Sequence, residues 1–474
     1  MAEPRVLILG GGPAGVGAAR ELARQGRGRA LLLEQGAHFG GNAGSFEACG
    51  QWLDYGSHRL HPATEPEIMA EIRALLGEDL RDRPRHGRIR LLGKWIHFPL
   101  KPVDLLLRLD KSFALGSLRD MAAKHLPGRP PEGDTFASVL RANLGATICD
   151  EFYFPYAVKL WGHTPELLSG VQAKKRVAAG SFGKLVRKVL NAVPGFKKPG
   201  AGRFFYPVRG FGQISEAYAS DARARGAELR LGWRMQSIEP PRDARSPWRV
   251  TAASNGATEV LEADHLWSTI PISVLANAMT SGVPAEVLEA TRRISYRSMI
   301  LIYAQLQVEQ FTEYDAHYFP GATTRITRLS EPKNYSALGR PAGTTVLCAE
   351  LPCTLDDAVW RMSDEELGRL LAEDLAGCGI PLPAAPLKVF SRRLPAAYPI
   401  YLRGYEEPFG ILDRWAESVP RLLSYGRQGL FAHDNTHHAL FMANAAVACL
   451  GGAAFDQAKW ADYRQLFAKH VVED

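Results

Sequence analysis

The feature that most constrains this chain is a glycine-rich turn between an apolar strand and a helix near its N-terminal end. An apolar run, VLIL, leads into GGGPAG at residues 10–15, and a helical pattern follows. In such a unit Gly10 permits the tight turn, Gly12 lets the backbone approach a pyrophosphate, and Gly15 lets the helix pack closely on the strand. The unpaired N–H groups at the helix N-terminus then face the anion. The spacing predicts a dinucleotide-binding unit.

The next 20 residues indicate which dinucleotide is bound. A second apolar run, residues 30–33, ends in Glu34, where an acidic side chain can accept hydrogen bonds from an adenosine ribose. The small-residue segment FGGNA follows directly, and Gly41 and Asn42 there can bring a second stretch of backbone to a diphosphate. A nicotinamide-binding unit would instead continue into an ordinary helix. The two turns together predict FAD.

Length and composition set wider bounds. With 474 residues the chain exceeds the usual limit for one hydrophobic core, so we expect two interleaved domains. No apolar run approaches the ~20 residues that span a bilayer, and no basic segment precedes an apolar signal core, which predicts a cytoplasmic protein. The cysteines have neither metal spacing nor a disulfide pattern, so we expect no metal centre: they are Cys49, Cys149, Cys348, Cys353, Cys378 and Cys449.

Positive charge is concentrated in one window. The interval between Glu166 and Glu216 contains no acidic residue but ten basic ones: Lys174, Lys175, Arg176, Lys184, Arg187, Lys188, Lys197, Lys198, Arg203 and Arg209. The window is compatible with a solvated basic face, with a site for a diphosphate-bearing substrate, or with an amphipathic surface resting on anionic lipid. The lipid alternative depends on apolar residues at near-helical spacing, namely Phe182, Leu185, Val186, Leu190 and Val193. No nucleic-acid-binding motif accompanies the charges.

Several segments resemble the flavoprotein family that includes UDP-galactopyranose mutase, protoporphyrinogen oxidase and the flavin amine oxidases. The resemblance begins at Gly10 and is carried in the mutase order by DYGSHRLH at 54–61, FPL at 98–100, FPYAVKLWG at 154–162, YPVRGFG at 206–212 and YPIY at 398–401. It implies an α/β fold in which a Rossmann-type FAD-binding domain is interleaved with a mixed α+β substrate domain and a helical cap. Segment signals place the FAD-binding domain at 1–80, 200–271 and 421–474, the cap at 81–199, and the substrate-binding sheet region at 272–420.

The resemblance also implies residues beside the flavin. His58 and His61 match a mutase Gly-Ala-His-x-x-His segment whose histidines help to set the electronics of the ring; the alternative is two ordinary histidines of the core or surface. The segment AHDNTHH matches the position where these flavoproteins bring a final helix N-terminus to the FAD phosphates, which makes Asp434 a cofactor-binding candidate. The histidines of that segment suggest either a flavin-facing role or a metal, and the resemblance favours the flavin: they are His433, His437 and His438.

For the substrate, Arg328 matches the mutase arginine that contacts the nucleotide-sugar diphosphate. A guanidinium fork suits two phosphate oxygens at once; the alternative is an ion pair with Glu331 or another acid. Trp161 matches a tryptophan of the mutase substrate pocket, or is a core aromatic, and the resemblance adds Tyr398 to the pocket. Two departures stand out: the C-terminal mutase tyrosines are absent, with Arg427 in place of the mutase arginine, and Gly180 stands where a second arginine is expected.

Two activities follow from the resemblance. In the first, reduced FAD interconverts the pyranose and furanose forms of a nucleotide-sugar through an adduct at flavin N5. In the second, oxidised FAD removes hydride from an amine or an apolar substrate. In both cases the cofactor carries the chemistry and the protein supplies orientation and electrostatics, so the absence of a Ser-His-Asp arrangement is expected. Non-covalent FAD and a small-molecule substrate are common to both expectations, and the sequence does not indicate the oligomeric state.

Overall fold

The computed structural model describes residues 3–98, 108–123, 133–176, 202–336, 338, 341–452 and 454–472. Its strands are β1 (Arg5–Leu9), β2 (Arg29–Glu34), β3 (Ser45–Ala48), β4 (Gln51–Asp54), β5 (Leu80–Pro84), β6 (Gly87–Leu91), β7 (Lys94–Phe98), β8 (Arg203–Pro207), β9 (Glu228–Leu231), β10 (Arg234–Glu239), β11 (Trp248–Ser254), β12 (Ala257–Ala263), β13 (His265–Ser268), β14 (Ser295–Leu306), β15 (Ala316–Tyr318), β16 (Arg328–Ser330), β17 (Thr345–Cys353), β18 (Lys388–Ile400), β19 (Leu422–Ser424), β20 (Leu450–Gly451) and β21 (Ala454–Phe455). Its helices are α1 (Pro13–Gln25), α2 (Pro66–Leu76), α3 (Lys111–Ala123), α4 (Phe136–Leu144), α5 (Ala146–Ile148), α6 (Phe154–Trp161), α7 (Gly170–Arg176), α8 (Gln213–Ala224), α9 (Ile272–Ala278), α10 (Ala285–Arg293), α11 (Pro332–Ser336), α12 (Asp364–Gly377), α13 (Glu406–Ser418), α14 (Gly426–Gly429), α15 (Thr436–Cys449) and α16 (Gln457–Phe467).

Strand β1 is the centre of a five-stranded parallel sheet with the order β19-β13-β1-β2-β9. Val6 and Ile8 pack on the face that α1, α8 and α15 cover, whereas Leu7 and Leu9 pack on the opposite face against β11 and α13. Burial on both faces explains why this strand is a continuous apolar run. All five strands come from the segments assigned to the FAD-binding domain, and the α/β fold predicted from the sequence is observed.

A seven-stranded sheet, with the order β18-β14-β17-β16-β15-β6-β7, forms the second layer. It is antiparallel except where β6 pairs with β15. Along β14, Ile300 and Ile302 pack into the core that α12 covers, and Leu301 and Tyr303 pack against the hairpin of β3 and β4. Because side chains alternate along a strand, one face of this sheet meets helices and the other meets the FAD-binding part of the chain.

From residue 108 onward, the described part of the cap contains helices α3 to α7. Its core includes Phe136, Leu140 and Trp161, and Ile400 of β18 packs into the same core. The α4 helix begins at a capping box: the Thr135 hydroxyl accepts the N–H of Ser138, whose hydroxyl accepts the N–H of Thr135. The cap is therefore attached to the end of β18, next to the seven-stranded sheet.

The expectation of mainly helical structure from residue 81 is wrong for residues 81–98. These residues belong to β5, β6 and β7; β5 pairs with β8, and β6 and β7 complete the seven-stranded sheet. In β6, Gly87, Ile89 and Leu91 are buried, while Arg88 and Arg90 between them are partly exposed. This period of two is typical of a half-buried strand rather than of a helix. The other domain boundaries remain predictions.

Within the described ranges, no helix is both long enough and apolar enough to cross a membrane. None of the six cysteines, all of which lie in the described ranges, forms a disulfide, and all except Cys49 are buried.

His317 of β15 couples stability to pH. It is buried between Trp95 and Phe319, and burial, with Arg88 nearby, lowers its pKa from 6.5 to about 3. The unfolded chain therefore binds this proton more readily, so the contribution of neutral His317 is present above pH 6.5 and is lost as the pH falls. We expect His317→Phe to reduce the fall in unfolding free energy between pH 7.5 and 5.5 by about 1.4 kcal/mol. Urea unfolding of both proteins at the two pH values measures this fall. A fall in His317→Phe equal to that of the wild type would contradict the lowered pKa of His317.

Candidate functional site

A cavity of about 770 Å³ runs from the glycine turn after β1 to the cap helices. Its wall contains most of the site residues predicted from the sequence: Gly10, Gly12, Glu34, Gly41, Asn42, His58, Trp161, Arg328, Tyr398 and Asp434. Clefts of this size between domains are where proteins commonly bind cofactors. The structure thus brings the predicted cofactor residues and the predicted substrate residues to one continuous site.

The glycine turn has the geometry that the sequence pattern predicts. Gly10 has a φ of +101°, and its N–H donates to the carbonyl of Leu33. A Cβ at Gly15 would lie 1.9 Å from the Gly10 carbonyl oxygen, so only glycine permits this contact between helix and strand. Gly15 accordingly does not line the cavity but holds the turn in shape. A Cβ at Gly12, by contrast, would meet no atom within 4 Å, which leaves room at the helix N-terminus for a ligand.

A second glycine turn faces the first. Gly40 donates its N–H to the Gly11 carbonyl, and a Cβ at Gly41 would lie 3.5 Å from the Gly12 Cα. The Asn42 side chain donates to the carbonyl of Ala396, which fixes this turn to β18. Because α1 has no side chain capping its N-terminus, backbone N–H groups remain for an anion between the two turns. This arrangement fits a dinucleotide diphosphate.

Glu34 already holds the backbone of the turn. Its two carboxylate oxygens accept the N–H groups of Gly11 and Gly36 at 2.7 and 2.6 Å. A carboxylate has about four acceptor positions, so each oxygen keeps capacity for a further donor. The geometry is compatible with the predicted hydrogen bonds from a ribose.

The structure separates the two histidines of the GSHRLH segment. His58 lies on the cavity wall, where burial and then the guanidinium groups of Arg328 and Arg427 lower its pKa to about 3. The ring is therefore neutral at pH 7, and among the described residues its buried Nδ1 has no hydrogen-bond partner. His61 does not line the cavity; its Nδ1 accepts the N–H of Ala63 in the turn before α2. Of the pair, only His58 is placed to meet a ligand in the described cavity.

Arg328 of β16 lies directly opposite Glu350 of β17. Its Nε and Nη2 donate to the two Glu350 oxygens at 2.8 and 2.9 Å, and Glu350 also accepts the N–H of Ser57. Burial opposes the charge of Arg328, but the carboxylate outweighs it and raises the pKa of Arg328 well above its usual value. The ion-pair alternative considered for Arg328 is therefore observed, with Glu350 rather than Glu331 as the acid. This ion pair engages one edge, Nε and Nη2, of the guanidinium that was expected to hold a diphosphate.

This pairing changes the expected effect of mutating Arg328. Arg328→Ala should lower the unfolding free energy by roughly 3–5 kcal/mol, because it leaves the Glu350 carboxylate buried without its charge partner. Adding Glu350→Gln should recover part of that loss. Urea unfolding of the flavin-free proteins measures both effects. Wild-type stability in Arg328→Ala, with only ligand binding lost, would favour the diphosphate role instead.

An aromatic and cationic wall closes the cap end of the cavity. Trp161 and Tyr398 meet edge to face with ring centres 5.7 Å apart. The guanidinium of Arg176 lies 4.9 Å from the centre of the Tyr398 ring, and that of Arg427 lies 5.0 Å from it. Burial lowers the pKa of Arg427, and the charge of Arg176 adds to the effect. Among the residues that the structure describes, neither guanidinium has a carboxylate within ion-pair distance, so this wall favours an anionic group.

Arg176 was not singled out from the sequence. It appeared only as one of ten basic residues, although its position at the end of α7, shortly after Trp161, was a usable signal. Within the described part of that window, three residues have acidic partners: Lys174 with Asp134, Arg203 with Asp82 and Arg209 with Asp79. The residues that the lipid alternative depends on, from Phe182 to Val193, and the departure at Gly180 lie outside the described residues.

Asp434 lies just before α15 and lines the cavity, at the predicted meeting point of a helix N-terminus and the cofactor. The neighbouring histidines do not line it. His433 packs behind Trp161 and lies 3.2 Å from the Gln172 side-chain oxygen, while His437 and His438 pack against each other. Of these four residues, only Asp434 lines the cavity, so the three histidines do not take the cavity-facing positions expected for them.

The chain matches the family described as "Flavin containing amine oxidoreductase" over residues 13–441. A reduced UDP-galactopyranose mutase is similar over 100% of this chain and 99% of its own, with a TM-score of 0.82 at 21% identity. A putative protoporphyrinogen oxidase from Exiguobacterium sp. 255-15 is similar over 94% of this chain and 98% of its own, with a TM-score of 0.70 at 20% identity. Cyclohexylamine oxidase from Brevibacterium oxydans IH-35A is similar over 98% of this chain and 100% of its own, with a TM-score of 0.66 at 16% identity. These likenesses confirm the predicted fold.

Proposed function

Because the chain belongs to the family of flavin-containing amine oxidoreductases, we propose that it binds FAD non-covalently and rearranges a nucleotide-sugar, as a mutase that interconverts pyranose and furanose rings. The observation that carries the proposal is the continuity of the cavity. One end has two glycine turns suited to a dinucleotide diphosphate, and the other has a guanidinium pair suited to a second anion.

The cofactor end fits FAD on three observations. The space beside Gly12 is open, the α1 N-terminus has no side-chain cap, and Glu34 on the cavity wall keeps acceptor capacity for ribose hydroxyl groups. When bound, the flavin would supply either a nucleophile toward an anomeric carbon or an acceptor for hydride. The residues of the chain have simpler tasks: Gly12 and Gly41 bind phosphate through their backbone, and Trp161 and Tyr398 exclude water and orient the substrate.

Electrostatics favour the nucleotide-sugar over an amine. Arg176 and Arg427 would repel a protonated amine, whereas a diphosphate would relieve the repulsion between the two guanidinium groups. His58, neutral and buried, can accept or donate one hydrogen bond without adding charge to the site. The alternative, an oxidase or dehydrogenase of an amine or apolar substrate, rests on the family and on the apolar share of the cavity wall.

The redox behaviour of the purified protein distinguishes the two activities. Flavin released by heat should be identified as FAD by mass, which also shows that it is not covalently bound. The dithionite-reduced protein should then isomerise a member of a nucleotide-sugar panel without net oxidation, while the oxidised protein does not. Anaerobic bleaching by an amine, with recovery in oxygen and no isomerised sugar, would establish the oxidase alternative instead.

A further inference from the structure

The C-terminal segment 468–472 connects the cap to the cofactor end of the cavity. The Lys175 ammonium of α7 donates to the carbonyls of Ala468 and His470 at 2.7 and 2.8 Å. The N–H of Val472 also donates to the Lys175 carbonyl, and Val472 lines the cavity. Three hydrogen bonds to one cap residue thus hold this segment against the site.

His470 is the residue of this segment that reaches Asp434. Its Nδ1 lies 3.2 Å from the Asp434 Oδ1. The His438 ring stacks on the His470 ring with centres 4.1 Å apart and an interplanar angle of 11°. The His438 Nδ1 lies 3.3 Å from the same carboxylate oxygen and 3.2 Å from the Asn435 N–H, whose bond it accepts in the capping box of α15. His470 is therefore the clearer donor to Asp434, and His438 fixes the plane of its ring.

The three side chains do not form a good site for a metal ion. A bound ion lies in the plane of each coordinating imidazole, about 2.0–2.1 Å from its nitrogen. Two nearly parallel rings stacked 4.1 Å apart cannot both meet that condition for one ion. A hydrogen bond from His470 to a charged carboxylate fits the same atoms without movement.

The other oxygen of Asp434, Oδ2, has no hydrogen-bond partner among the described residues. This oxygen is buried, although Asp434 lines the cavity. Burial would raise the pKa of Asp434, but the neighbouring imidazoles of His438 and His470 outweigh it and lower the pKa below its usual value. A buried, charged oxygen without a donor is costly, and a ligand hydroxyl would remove that cost.

We infer that His470 is a positioning residue, which fixes the Asp434 carboxylate so that Oδ2 accepts a hydrogen bond from a hydroxyl group of the bound dinucleotide. The inference rests on the proposed function, since it takes FAD to be the ligand at this end of the cavity. It also assigns a task to the C-terminal segment, whose hydrogen bonds to Lys175 join the cap to the cofactor site.

The experiment measures the Kd for FAD of flavin-free protein by fluorescence quenching. His470→Ala should raise this Kd about tenfold. His470→Asn should recover part of the affinity, because its amide nitrogen can donate from nearly the position of Nδ1. Lys469→Ala is the matched control, since this neighbouring side chain is exposed, and it should leave the Kd unchanged.

A double-mutant cycle separates positioning from general support of the fold. In an Asp434→Asn background His470→Ala should change the Kd less than twofold, because the carboxylate through which it acts is gone. An equal tenfold loss in both backgrounds, or no loss in either, would overturn the inference while leaving the proposed function intact. A wild-type protein that takes up no FAD would overturn both.

Discussion

Replacing Gly12 with aspartate should give a folded protein that purifies without flavin. Gly12 has a φ of −71° and a ψ of 177°, which any residue adopts, and its Cβ would meet no atom within 4 Å. An aspartate at this N-cap position should even stabilise α1 by about 1 kcal/mol. The same carboxylate would occupy the space for the pyrophosphate and repel it, so we expect the Kd for FAD to rise about 100-fold or more, a change of about 2.7 kcal/mol.

The ratio of visible to ultraviolet absorbance and thermal unfolding of the flavin-free protein measure the two effects. Gly377→Asp is the matched control, because a Cβ there also meets no atom within 4 Å and the site lies at the end of α12. It should retain flavin. Gly15→Ala should behave differently from both and lose stability, since its Cβ would overlap the Gly10 carbonyl. A yellow Gly12→Asp protein would show that the pyrophosphate does not lie at this turn.

The glycine turns could be predicted from the sequence because their requirements are local. A positive φ at Gly10 and the contact between Gly15 and the Gly10 carbonyl are properties of a few consecutive residues. The resemblance added Trp161 and Tyr398, whose rings the structure brings together on one wall. What these residues bind in solution is still a prediction.

The partner of Arg328 could not be predicted in the same way. Glu331, three residues away, was the named candidate, but its carboxylate accepts the N–H groups of Phe311 and Thr312 instead. Glu350 becomes the partner only through the register of two antiparallel strands, and register depends on the whole sheet. The contact of His470 with Asp434 is equally non-local, since it joins residues 36 positions apart through the packing of α15 and α16.

The guanidinium pair leads to the second large expected effect, on substrate binding. If Arg176 and Arg427 hold a diphosphate, Arg176→Ala should weaken binding of a nucleoside diphosphate such as UDP by roughly 10- to 100-fold, because a hydrogen bond to a charged group contributes about 1.5–3 kcal/mol. Arg176→Lys should recover only part of the affinity, since an ammonium keeps the charge but loses the two-pronged geometry. Isothermal titration of flavin-loaded protein measures these affinities.

Lys174→Ala provides the control for loss of positive charge on α7, because this side chain is exposed and pairs with Asp134. It should reduce UDP affinity only slightly, and less at higher salt, where exposed charges are screened over about 8 Å. Flavin content should be the same in all of these proteins, since Arg176 lies at the cap end of the cavity. In the opposite outcome, UDP does not bind and Arg176→Ala improves the binding of a protonated amine. That result would identify the guanidinium pair as a barrier to cations and would favour the oxidase activity over the mutase activity.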